Sequence, residues 1–444
     1  MDARTHAFVE HLAAAIRIKT ISSEEEPPDA KEFDRLHTLF AASYPHTWAT
    51  LDVEAIGRHS LLLTWHGRRP DVRGLLLLAH QDVVPVEEGS ESDWAHPPFS
   101  GSTDAHHLYG RGALDDKGPL IAILETIERM IADGFTPERT VTLAFGHDEE
   151  RSGRAGAAAM AKVLEARGAR FRLAIDEGGA VSEGIVPGVT RPVALVATGE
   201  KGWADIELTA AGVAGHSSAP PRHTAIGKLG AAIARLERSR MPADLTHATA
   251  LFGHVSSAAR PGAGHLLRAA TKFGPIAAKA LSMRPTTNAL IRTTLAPTII
   301  SGGTKANVLP TQARAVVNAR ILPGDTLESV VDHVRRHVGS EIDVEIVSGY
   351  PPPPVSDASS EEFKAVADTI VEVFPDAVVA PFVVIAATDA RYYTAVADQV
   401  LRFVPFRVSD DEFRGIHGPN ERMRLSDVPC ALGFYRSLIE RVCS

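Results

Sequence analysis

Short unbroken apolar runs alternate along the first half of the chain with stretches in which apolar positions recur every three or four residues. The runs at 60–65, 75–79, 140–145 and 171–175 predict strands, and the periodic stretches at 119–132 and 154–167 predict helices. Strands alternating with helices of this length imply a doubly wound α/β fold, with a mainly parallel sheet covered on both faces. Beyond residue 200 the texture changes. A strand at 203–209, a helix at 224–236, strands at 296–300 and 313–321, a helix at 327–338 and a strand at 342–347 predict a small inserted α+β domain. Pro351-Pro352-Pro353-Pro354 then supplies a stiff extended return. The doubly wound texture resumes with a helix from 361 to 374, a strand at 378–385 and a closing helix at 427–441. The expected division is a catalytic domain in two parts, 1–199 and 350–444, around an insert at 200–349. Residues 241–291 show no pattern that assigns them to an element.

With 444 residues, two domains are the default, and 44% apolar with 23% charged residues is normal for a globular protein. A net charge of −9 without a basic run argues against a nucleic-acid partner. The two cysteines, Cys430 and Cys443, form no Cys-x-x-Cys pair, so neither a disulfide framework nor a thiolate metal site is expected, in keeping with a reducing compartment. Phe8, Leu12, Ala15 and Ile16 recur at helical spacing among charged residues, predicting an amphipathic first helix rather than a signal peptide. No run of 18 apolar residues occurs, and a soluble, cytoplasmic protein without a membrane partner is expected.

The chemistry-bearing groups fall just past the predicted strands, where ligands bind in open parallel sheets. They are His80 and Asp82, Glu149 and Glu150, and Asp176, with Asp115 in a glycine-flanked turn and His417 near the end. Imidazole plus carboxylate in this proportion suits zinc or a similar divalent ion, and one carboxylate beyond the ligands is what a metal hydrolase needs as a base. In His80-Gln81-Asp82, alternate residues point the same way, so Asp82 is placed to accept the imidazole N–H that faces away from the metal. Asp115 and Asp116 repel each other unless a cation offsets them, and Asp115 is the bridging candidate. Asp116 is equally explained as the N-cap of the helix that follows. Glu149 and Glu150 point apart, so one can coordinate while the other faces a reacting water. Within the insert, His216, on a glycine-released turn, suits support of an oxyanion, while Asn307 and Arg320 suit the grip of a substrate carboxylate.

Taken together these blocks resemble the zinc-dependent peptidase and aminoacylase family, which includes aminoacylase, carnosinase, succinyl-diaminopimelate desuccinylase and carboxypeptidase S. Gly146-His147-Asp148-Glu149-Glu150, Asp176-Glu177-Gly178-Gly179, Thr388-Asp389-Ala390-Arg391-Tyr392-Tyr393 and His417-Gly418-Pro419-Asn420-Glu421 look most like the carboxypeptidase S branch, which also contains enzymes acting on N-fatty-acyl amino acids. The resemblance implies two zinc ions, with cobalt or manganese as substitutes. One would be held by His80, Asp115 and Asp176, the other by Asp115, Glu150 and His417, with Glu149 as the base. It further implies a cis Asp115-Asp116 bond and an insert that acts as lid and homodimer surface, carrying His216 to an active site. Arg151-Ser152 departs from the small or apolar residue and glycine common after the paired glutamates.

The expected reaction is hydrolysis of an amide bond next to a free carboxylate, in a peptide or an N-acyl amino acid. A dipeptidase requiring a free α-amine is the alternative among enzymes, and a catalytically silent binding protein on the same scaffold the alternative from another class. A serine hydrolase is disfavoured because Gly215-His216-Ser217-Ser218 lacks the Gly-x-Ser-x-Gly elbow.

Overall fold

The computed structural model describes residues 2–23, 28–184, 188–270 and 274–444. The strand Gly74–His80 is buried along its whole length because both faces of its sheet are covered. Leu75 and Leu77 pack on one side with Phe8 and Leu12 of the helix Ala3–Ile16, Leu124 and Ile127 of Lys117–Ala132, and Phe434 and Leu438 of Val428–Cys443. Leu76 and Leu78 pack on the other side with Met160 and Leu164 of the helix Ala157–Ala166. Each such buried side chain contributes about 1.5–3 kcal/mol relative to exposure, so the unbroken apolar run fixes this strand at the sheet centre.

The large sheet runs in the order Asp52–Ile56, Ser60–Trp65, Val141–Gly146, Gly74–His80, Phe171–Asp176, Ala397–Arg402, Val193–Glu200, Val181–Glu183, Arg407–Ser409, with Val378–Val384 also pairing with Val193–Glu200. From Val141–Gly146 to Ala397–Arg402 the neighbours are parallel. Their carboxyl ends therefore lie along one edge, at His80, Gly146, Asp176 and Arg402.

Between Glu200 and Gly202 the chain passes into a second, antiparallel sheet, ordered Thr294–Gly302, Gln312–Ile321, Gly202–Ala211, Ile342–Tyr350. Ala204, Ile206, Leu208 and Ala210 alternate inward, against Leu229 of the helix Ala225–Arg238 and Val334 of Leu327–Val338. The unassigned stretch folds as short helices: Thr246–Val255, Pro261–Ala270, Gly274–Leu281 and Pro285–Leu290. Leu251, Phe252 and Val255 pack on Val193 and Ala380, so this excursion rests on the large sheet rather than the small one. Among the described residues, no helix is long and apolar enough to cross a membrane.

Candidate metal centre

His80 ends its strand fully buried, and its own N–H donates to Asp116 Oδ2 at 3.1 Å. Its Nδ1 faces Asp82, 3.0 Å from the carbonyl oxygen and 3.4 Å from Oδ1. Nε2 is thereby turned to Asp115 Oδ1 at 2.9 Å and Glu177 Oε1 at 3.6 Å. The second oxygen of Asp115 lies 3.0 Å from His417 Nε2, which is also 3.3 Å from Glu150 Oε1. Asp115 thus gives one oxygen to each of two donor groups, His80–Asp115–Glu177 and Asp115–Glu150–His417, each with its ligand atoms within 4.8 Å of one another.

The donor chemistry fits divalent cations. Two imidazoles face three carboxylates, and Glu150 Oε1 is buried without a hydrogen-bond partner. Burial pushes the Glu177 and Glu150 carboxyls above their ordinary range, and the charge of Asp115 pushes the same way. Such a cluster gains from a cation that offsets the repulsion.

Asp176 and Asp116 stand in surroundings of their own. Asp176 is not in either donor group. Its Oδ2 accepts the Ala390 N–H at 2.7 Å, and the residue is in register with Arg402 of the neighbouring strand, whose charge it feels. Successive residues at a strand end point to opposite faces, so the next residue, Glu177, turns toward His80 instead. Asp116 makes no side-chain cap to the helix Lys117–Ala132; its carboxylate is committed to His80 N–H. The Asp115-Asp116 peptide is cis.

The loop after Val141–Gly146 is not a solvated acidic turn. Asp148 is buried and accepts from Ala155 and Gly156 N–H, and Glu149–Arg151 form one 3₁₀ turn. Asp82 Oδ1 and Oδ2 accept the backbone N–H groups of Glu149 and Glu150, each at 3.2 Å. Burial lifts the Glu149 carboxyl well above the ordinary range, with Asp389, Glu150 and Asp115 adding to the rise and His80 opposing it. A carboxylate whose proton affinity is raised beside metal ligands is suited to take and return a proton.

Further residues support the cluster without having been singled out individually in the sequence. Glu421, four residues after His417, is buried; it accepts from Arg111 Nη1 (2.7 Å), Gly112 N (3.0 Å), Leu114 N (2.9 Å) and Asp115 N (3.1 Å). It therefore holds the turn that presents Asp115. His417 itself has φ +59°, a left-handed conformation unfavourable for a residue with a Cβ, and the surrounding turn retains it. Asp389 is buried with neither oxygen hydrogen-bonded, lodged where a Cβ on Gly153 or Gly146 would lie 1.9 or 2.7 Å from its oxygens.

The insert residues belong to neither donor group. His216 is exposed, its Nδ1 2.7 Å from Ser218 Oγ, on a two-stranded ribbon in which it pairs with Val308. Asn307, also exposed, adjoins it and accepts the Ser217 N–H through its carbonyl at 3.1 Å. Arg320 is half-buried on an interior strand of the small sheet, between Trp203 and Thr294.

A parallel sheet whose carboxyl edge gathers imidazoles and carboxylates around one shared aspartate, beside a spare half-buried glutamate, defines a dinuclear metal-dependent hydrolase. Residues 76–441 match the model of peptidase family M20/M25/M40, and the chain belongs to that family. It is 36% identical over 440 residues to a probable carboxypeptidase S-like protein of Dictyostelium discoideum, covering 98% of this chain and 84% of the relative. It is 35% identical over 439 residues to an N-fatty-acyl-amino acid synthase/hydrolase of Xenopus tropicalis, covering 98% and 85%. Among solved structures, an M20 family metallo-carboxypeptidase from Sulfolobus solfataricus superposes with a TM-score of 0.69 at 18% identity, covering 100% of this chain and 99% of that one.

Proposed function

We propose that this M20 metallohydrolase cleaves the amide bond next to a free carboxylate in N-acyl amino acids or peptides. The observation that carries this reading is the shared position of Asp115 between His80 and His417, with Glu149 half-buried and outside both donor groups. His80, Asp115 and Glu177 would hold one ion, and Asp115, Glu150 and His417 the other; zinc suits this nitrogen and oxygen set, as do cobalt and manganese. When bound, the cation pair supplies Lewis acidity toward the scissile carbonyl and lowers the pKa of water at the site. Glu149 takes the proton of the attacking water and passes it to the leaving amine. Asp82 fixes the direction of the His80 ring and, through its two backbone contacts, the position of Glu149. Arg320 and Asn307 hold the substrate carboxylate, and His216 supports the developing oxyanion.

His216 has no partner from the donor groups around Asp115, which supports a lid that acts on closure or across a homodimer. The outer strand of the small sheet, Thr294–Gly302, exposes Ile299 and Ile300 and supports a dimer through that edge. The relatives' names include carboxypeptidase S and N-fatty-acyl-amino acid hydrolase activities, which is why both substrate classes are kept. A panel of hydrophobic N-acyl amino acids, N-blocked peptides and unblocked dipeptides, assayed with the zinc-loaded protein, tests the reading. Turnover of the blocked substrates is expected; turnover of unblocked dipeptides alone would overturn it in favour of a dipeptidase.

A further inference from the structure

Ser152 and Gly153 close the turn that carries Glu149 and Glu150, with successive left-handed φ values of +77° and +61°. The segment Asp389–Ala395 grips that turn at this point. Arg391 Nη2 donates to the Ser152 carbonyl at 2.6 Å, and Tyr392 Oη donates to the same oxygen at 2.7 Å. Arg391 Nη1 donates to the Thr388 carbonyl at 2.5 Å. Both terminal nitrogens are thus engaged by the protein.

Its planar face is used as well. The guanidinium carbon lies 4.9 Å from the ring centre of Tyr350 and 4.6 Å from that of Tyr392. Tyr350 is the last residue of the insert strand Ile342–Tyr350, where the chain leaves the small sheet for the proline return. It pairs in register with Trp203, next to the other crossing between the sheets, and Trp203 pairs in turn with Arg320. Tyr350 also feels the charge of Arg320. One side chain thus touches the base-bearing turn with its edge and the root of the insert with its face.

We infer that Arg391 is a positioning residue that couples the placement of the insert, through stacking on Tyr350, to the turn that holds Glu149. The inference deepens the proposed reaction and rests on it for the identity of the base. A shift of the insert that unstacks Tyr350 releases one of the two donors holding Ser152 O, loosening the turn. A seated insert, with Arg320 engaged, leaves the turn ordered. The coupling is read as amide hydrogen exchange of residues 149–153 in the zinc-loaded 444-residue chain, alongside kcat and KM. Tyr350→Ala is expected to speed exchange in that turn at least about fivefold and to lower kcat by a similar factor with KM little changed. Tyr350→Phe, which keeps the ring, is expected to restore both. In an Arg391→Met background, Tyr350→Ala is expected to add less than about twofold.

Unchanged exchange at 149–153 in Tyr350→Ala, or the same increase with and without Arg391, would overturn the coupling. If Arg391→Met does not fold, the Tyr350→Ala and Tyr350→Phe pair decides alone. The two readings fail separately. Full turnover by Glu149→Gln would remove the base assignment while leaving an exchange result standing, whereas unchanged exchange beside an inactive Glu149→Gln would remove only the coupling.

Discussion

Asp82 Oδ1 accepts the backbone N–H of Glu149 at 3.2 Å while the same carboxylate lies 3.4 Å from His80 Nδ1. One buried side chain thus sets both the direction of the His80 imidazole and the location of Glu149. Asp82→Ala is expected to reduce metal affinity and kcat together, each by about 10–100-fold, as loss of a supporting contact to a metal-bound histidine does. Zinc titration and steady-state kinetics on the same preparation check this; loss of kcat with unaltered affinity would assign Asp82 to the base alone.

Glu149 stands outside both donor groups. Glu149→Gln preserves its shape but cannot accept a proton as the carboxylate does. A fall in kcat of about 10²–10⁴-fold with metal content intact is expected, the range for loss of a general base. Elemental analysis of the variant separates this from loss of a ion.

The neighbouring pair Asp176 and Glu177 makes a sharper test. Glu177 faces His80, and Asp176 faces Ala390 N–H and Arg402. Glu177→Gln is expected to weaken one ion by about 10–100-fold with little effect on melting of the metal-free protein. Asp176→Asn is expected to do the reverse, costing about 1–3 kcal/mol of stability from the disturbed buried contacts. Equal loss of metal in both variants would return Asp176 to the ligand set.

Away from the site, Glu412 offers a pH test. Burial raises its pKa, but paired contacts from Arg424 and Ser409 outweigh this and hold it near 2, against 4.5 ordinarily. A depressed folded-state pKa means that the carboxylate stabilises the fold above pH 4.5 and loses this contribution as pH falls toward 2. Glu412→Gln is expected to lower the melting temperature at pH 7, and the gap to the unmodified protein is expected to narrow between pH 4.5 and 2. A gap independent of pH over that window would contradict the assignment.

Much of this was legible because buried parallel strands announce themselves as unbroken apolar runs, and their carboxyl ends mark where ligands gather. Leu75-Leu76-Leu77-Leu78 placed His80, and the run ending at Phe145 placed the Glu149–Glu150 turn. What pattern alone did not resolve is which of two adjacent acids faces His80 once a strand ends, since the last residue in register decides it; Asp176 and Glu177 turn on that one step. Asp116 was similarly ambiguous between cap and core because its partner, His80 N–H, is remote in sequence. The helices between 246 and 290 escaped notice because each is short and its apolar contacts, such as Phe252 on Ala380, lie in the other half of the chain. Arg391 and Glu421 sat inside recognisable motifs, but their roles depend on contacts more than 200 residues away.

Asp115, common to both donor groups, is expected to be shared by two cations. Calorimetric titration of the metal-stripped chain with zinc, alongside Asp115→Ala, tests it directly. Two equivalents per chain are expected for the unmodified protein, with both weakened together in the variant. A single equivalent, or a variant that still takes up two with unchanged affinity, would contradict it.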